Sequence, residues 1–170
     1  FKIVEKQKGK GVKRITPYEL WDFVAESDYD TCTIDSWNYM NHKSELSKTD
    51  YLADVLAYRN EVAQNSGKHF FTIIHPRNPV TSDYDQDGVL KPPTVHNIMN
   101  GSEWNNNGKS IIVVHKEVKE GLNYDIYFRK IKPRAVGSTG NEVIQYDIAK
   151  ARFYKLQPKG GRKESKQWKQ

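Results

Sequence analysis

The sequence predicts an α/β fold with a parallel sheet at its core and antiparallel hairpins toward the C-terminus. Three observations carry this. Thr31-Cys32-Thr33-Ile34 is a short β-branched or small run, too short for a helix, that ends in Asp35. A helix-length segment then separates it from a second apolar run, Phe70-Phe71-Thr72-Ile73-Ile74, and a crossover of that length demands parallel strands. From Ile111 onward the pattern turns to β, with turn residues between short alternating runs.

Each element has a local reason. Phe1 to Glu5 alternates as a short strand, and Lys6 to Arg14 is a Lys/Gly loop. Thr16-Pro17-Tyr18-Glu19 starts a helix: the Thr hydroxyl caps, Pro suits the first helical position, and Glu19 reaches back to complete a capping box. Leu20, Phe23 and Val24 are expected on its buried side. After the Thr31 strand, Asn41 to Lys48 reads as polar loop, and Ser47 to Asp50 opens a second helix by the same capping logic. Leu52, Val55, Leu56, Val62 and Ala63 recur at helical spacing, with Asp54, Arg59 and Glu61 expected off that face and Gly67 as the stop. Phe70 to Ile74 is then expected as a buried strand ending at His75.

Val80 to Pro93 is a long loop of low apolar content, bordered by Arg77 and Lys91, of the kind that binds ligands. Within it Asp83, Asp85, Asp87 and Gly88 imitate the start of a calcium loop, but the twelfth position is Thr94 where a bidentate Glu is needed, and Pro92-Pro93 block the exiting helix. Val95 to Ser102 reads as a short helix or turn and Asn105 to Ser110 as a polar turn. Gly108-Lys109-Ser110 ends like a phosphate-binding loop, yet six residues lie between Gly101 and Gly108 where that motif has four, and a strand follows where it needs a helix. The 170 residues hold no other G-x-x-x-x-G-K-S/T. Strands are expected at Ile111 to His115, Tyr124 to Ile131, Glu142 to Tyr146 and Arg152 to Leu156. Tyr124, Ile126 and Phe128 should alternate against Asp125, Tyr127 and Arg129.

The net charge of +6 is concentrated at the ends: residues 1 to 15 hold six Lys/Arg against one Glu, and residues 155 to 170 again six against one. The stretch between is slightly acidic. Residues 157 to 170 combine Gly, Pro and charge without apolar periodicity and read as a disordered basic tail, leaving residues 1 to 156 as one domain. Cys32 is the lone cysteine and lies in an apolar strand, so neither a disulfide framework nor a zinc site is available, which suits a reducing compartment. No apolar run approaches the about 18 residues of a membrane span. A soluble, intracellular protein is expected.

Two parallel strands that end in Asp35 and His75 would present both side chains at one sheet edge, where open parallel sheets bind ligands. A strand-terminal carboxylate can hold Mg²⁺, usually through water, since that ion keeps several waters and takes few protein ligands. An imidazole beside it can hydrogen-bond a terminal phosphate. The commoner reading of a single such Asp is a turn cap. A metal-dependent nuclease using Asp35, Asp50 and His75 is weaker, because Asp50 opens a helix one loop away.

The order of pieces is more specific than any one of them. Ile34-Asp35-Ser36-Trp37-Asn38, a helix, a strand ending in His75-Pro76-Arg77-Asn78-Pro79, then Pro92-Pro93-Thr94-Val95-His96-Asn97-Ile98-Met99-Asn100-Gly101-Ser102, and a strand ending in Lys130-Ile131-Lys132-Pro133-Arg134-Ala135-Val136-Gly137-Ser138-Thr139-Gly140 together resemble the replicative hexameric DNA helicases of the DnaB-like and Twinkle-like family, over residues 1 to about 156. The resemblance implies an incomplete RecA-like fold: the C-terminal part of an ATPase domain whose P-loop half and catalytic Glu lie upstream of the region matching Phe1. It implies ATP and Mg²⁺ as cofactors, single-stranded DNA as partner, a homo-oligomeric, hexameric ring, no membrane, and the cytoplasm of a bacterial or phage-infected cell.

Residue by residue, Asp35 matches the Walker B Asp and His75 the polar sensor of the γ-phosphate. Lys132 and Arg134 match the basic pair inserted into a neighbour's ATP site, Arg134 as the arginine finger. The Arg77 to Lys91 loop resembles one lining a DNA channel. Gly101-Ser102 matches the family's Gly-Ser turn, whereas its Gln-type switch residue has only Asn106 or Asn107 as counterparts. Without a P-loop, the chain alone is expected to hydrolyse little ATP; the alternative is a non-catalytic nucleic-acid-binding or ring-assembly module.

Overall fold

The computed structural model describes residues 14–42, 44–116 and 121–156. The expected strand at Phe1 to Glu5, nearly all of the Lys6 to Arg14 loop and the tail from residue 157 lie outside the described residues. The described parts of Phe1–Asn78 and Thr94–Gly108 form one compact unit, and those of Pro79–Pro93 and Lys109–Gln170 form another. The chain is mixed α/β, with a two-stranded parallel sheet in the first unit and a four-stranded antiparallel sheet in the second.

In the first unit, α1 (Pro17–Glu26) begins with the expected capping box: the Thr16 hydroxyl accepts from the Glu19 amide, and the Glu19 carboxylate accepts from the Thr16 amide at 2.8 Å. The buried stripe is Pro17, Trp21 and Val24, spaced i, i+4, i+7. Phe23 lies off that stripe and is exposed, and Leu20 is only partly buried, so Trp21 takes the place expected of them. Strand β1 (Thr31–Asp35) and strand β2 (His69–Ile73) pair in parallel, joined through α2 (Lys48–Ser66). Ser47 caps α2 and Gly67 ends it at φ 68°, a left-handed conformation that costs glycine little.

Arg59 corrects the expected face of α2. It is buried, four residues after Val55 and three before Val62 on the apolar stripe. The strands also differ from expectation. Cys32, Ile34, Phe70 and Ile74 face the core, but Phe71 and Ile73 on the opposite face are 56% and 41% exposed, so the pair is covered on one side only.

The core gathers Trp21, Ile34, Trp37, Met40, Tyr51, Leu52, Val55, Leu56, Val62 and Trp104. Three tryptophans anchor it: Trp37 packs edge-on to Trp104 with centroids 5.1 Å apart and stacks on Trp21 at 6.4 Å. Burying an apolar side chain of Leu or Val size contributes about 2 kcal/mol. His42, expected in a polar loop, is built into this core. Its Nε2 meets the Trp37 carbonyl at 2.8 Å, and its ring lies 4.6 Å from that of Trp37. Residues 101–107, read partly as a polar turn, form helix α3 (Gly101–Asn107), held by buried Trp104.

The second unit is built on β3 (Ser110–His115), β4 (Asn123–Ile131), β5 (Gly140–Asp147) and β6 (Arg152–Lys155), paired in sequence order. The antiparallel strands therefore make a sheet of their own instead of extending the parallel pair. Short connections favour pairing of consecutive strands, and that local preference wins here. A bulge between Ile111 and Ile112 leaves Arg129 outside the pairing. The expected alternation in β4 is muted: Tyr124 through Phe128 are all partly buried.

Candidate functional site

The parallel register places Asp35 opposite Ile73 at the C-terminal ends of both strands. Ile74 then packs on the core and His75 follows it, exposed, as Asp35 is. Asp35 and His75 thus lie at the same edge of the same two-stranded sheet, in one unit, with neither in the apolar core. The next residue, Ser36, is buried and its hydroxyl finds no hydrogen-bond partner. The Asp35–Ser36 peptide is cis.

One exposed carboxylate at a strand end fits the modest protein share of a Mg²⁺ shell, which phosphates and water complete. Among the described residues no group of three or more His, Cys, Asp or Glu is arranged to hold a metal on protein ligands alone. Asp50 is occupied elsewhere: its carboxylate accepts from the Ser47 hydroxyl at 2.7 Å in the cap of α2. Burial pushes the Cys32 thiol up, which keeps it protonated and structural.

Arg77 is exposed just beyond β2. Its amide donates to the Asn97 carbonyl at 2.7 Å and its guanidinium to the Asn78 carbonyl at 3.1 Å. The loop that follows is closed on itself. The Asp85 carboxylate accepts from the amides of Asp87 and Val89, Asp83 accepts from the Val80 amide, and Tyr84 bridges to Leu90. Lys91 donates from its amide to the Asp83 carbonyl and from Nζ to the Ser82 carbonyl. Asp83 and Asp85 of the calcium-like stretch are therefore engaged with backbone amides of their own loop.

Lys132 and Arg134 belong to the second unit, both exposed, with Arg134 opening a one-turn helix that ends at Val136. Asp35 and His75 belong to the first, and Arg77 and Lys91 are likewise divided between the two. Asn106 and Asn107, the counterparts of the switch residue, close α3. The Asn107 carbonyl accepts from both Arg59 and Asn60.

Two lysines that sequence reasoning did not assign join this inventory. Lys109 immediately precedes β3, and Lys130 sits in β4 opposite Ile111. In the sequence Lys109 reads only as the end of an imperfect P-loop, and its closeness to Lys130 depends on strand register. No family model matches the chain, and no curated protein sequence matches it either. No helix among the described residues is long and apolar enough to cross a membrane.

Proposed function

We propose that this chain is the C-terminal part of the RecA-like ATPase domain of a replicative DNA helicase, a cytoplasmic ring, hexameric by the resemblance, that moves on single-stranded DNA. The observation that carries the reading is the joint position of Asp35 and His75 at one sheet edge, reached by strands that follow the family's motif order. In this reading Asp35 holds Mg²⁺ of the nucleotide, and His75 hydrogen-bonds the terminal phosphate. Lys132 and Arg134 reach a neighbour's nucleotide, where positive charge offsets the charge that develops on the transferred phosphoryl group. Bound Mg²⁺-ATP supplies the phosphoryl-transfer chemistry. Arg77 and Lys91 contact the backbone of the strand.

A second reading, a nucleic-acid-binding or ring-assembly module without ATPase activity, is favoured by one fact: the 170 residues contain no P-loop. Phosphate binding by a helix N-terminus and glycine-rich turn would have to come from outside them. Forked-DNA unwinding separates the two readings. The protein is expressed together with whatever its reading frame encodes ahead of Phe1. ATP-dependent strand separation that disappears in Asp35→Asn supports the motor. Absence of unwinding, with DNA binding retained, supports the module.

A further inference from the structure

The register of β3 and β4 brings three lysines to one end of one face. Ser110 pairs with Ile131 and Ile111 with Lys130. Residues opposite one another point to the same side, and each strand alternates with period two. Lys109 and Lys132 are the residues next beyond the Ser110–Ile131 pair, one on each strand, and that alternation puts them on the side of Lys130. Lys109 and Lys132 are exposed and have no ion-pair partner among the described residues; Lys130 is partly buried. Its ammonium loses proton affinity first to burial and then to the positive charges of Lys132 and Lys109.

Beside Lys130, at the bulge in the β3–β4 pairing, the Arg129 guanidinium lies 4.5 Å from the Tyr127 ring. Arg129, Thr139 and Asn141 are among the residues lining a recess at this point of the sheet. Asp125, the acid of β4, pairs with His115 at the far end of the ladder. Like charges gathered at one end of a sheet raise the local positive potential, which favours an anion there.

We propose that Lys109, Lys130 and Lys132 form a binding site for phosphate oxyanions. The cluster joins Lys109 and Lys130 to Lys132 of the basic pair and stands independently of the helicase reading, since it rests on register and charge in the second unit alone. Its phosphates come either from a nucleic-acid backbone or from a nucleotide polyphosphate.

Binding by the full chain tests this with two probes: labelled oligothymidylate by fluorescence anisotropy, and inorganic tripolyphosphate by calorimetry. The triple variant Lys109→Gln, Lys130→Gln, Lys132→Gln is compared with wild type and with Lys150→Gln, a remote exposed lysine. Expected is a loss of affinity of about 10-fold or more for at least one probe, and for oligothymidylate a fall in salt slope of about 2, near 0.7 per lysine. Loss for the oligonucleotide alone assigns the site to a strand backbone. Loss for tripolyphosphate alone assigns it to a nucleotide, and loss for both to phosphate in general. Should the triple variant fail to fold, Lys109→Gln alone, at an exposed position, is expected to lose affinity about 3-fold. The proposal is overturned if wild type binds neither probe, if the triple variant (or Lys109→Gln in its place) binds both within twofold of wild type, or if Lys150→Gln loses as much.

Discussion

The phenol of Tyr18 on α1 donates to the Asp54 carboxylate on α2 at 2.5 Å. One turn further along both helices, Tyr58 donates to Asp22, so two tyrosine–aspartate pairs clasp the helices that cover the parallel sheet. Burial, and then the bond to Asp54 and its charge, hold the Tyr18 phenol above its ordinary range. The folded state therefore keeps a proton that the unfolded chain releases near pH 10, and stability is present below that pH and falls as pH rises past it. Tyr18→Phe is expected to cost about 1 kcal/mol at neutral pH, the value of an exposed bond to a charged acceptor, and to flatten the alkaline loss. Urea melts between neutral pH and pH 11 check both.

Arg59 is buried among apolar side chains and spends its guanidinium on the end of α3, donating to the Asn107 carbonyl at 3.3 Å and to Asn60 Oδ1 at 3.1 Å. Arg59→Ala leaves a cavity and removes one of the two donors to that carbonyl, so a loss of about 3 kcal/mol is expected. Arg59→Met fills the space and should recover more than half of it, as read by denaturant midpoints at constant m-value.

Gly101 is buried where α3 begins, and a Cβ there would lie 1.7 Å from the Val95 carbonyl oxygen. That atom is backbone and cannot step aside. Gly101→Ala is expected to destabilise by about 3 kcal/mol or more. The companion change Gly67→Ala, at a left-handed cap with open space around it, should cost only about 1 kcal/mol. Thermal melts of the two variants should therefore separate clearly.

These residues also show where the sequence was legible. Thr16, Glu19, Ser47 and Gly67 act through bonds within one helical turn, so the helix boundaries could be read locally. The edge shared by Asp35 and His75 was legible because a helix joining two short apolar runs leaves little choice of topology. The burial of Trp21 over Phe23 was not, since one turn of apolar residues fits two faces and only packing against Trp37 decides. Helix α3 escaped because its Asn-rich sequence has weak helical preference; it is held by burial of its own Trp104 and by Arg59 and Asn60 of α2. Lys109 and Lys130 became neighbours only through a register that includes a bulge, which no local pattern encodes.

ATP turnover in the presence of single-stranded DNA tests the place of Asp35 and His75 in a nucleotide site most directly. It is measured for the 170-residue chain alone and for the chain together with whatever its reading frame encodes ahead of Phe1. The chain alone should not exceed background. In company it should turn over ATP, with Asp35→Asn lowering kcat by about 100-fold or more and Arg134→Ala by about 1,000-fold. Helicase-like turnover by the chain alone, or turnover in company that Asp35→Asn leaves unchanged, would contradict the account.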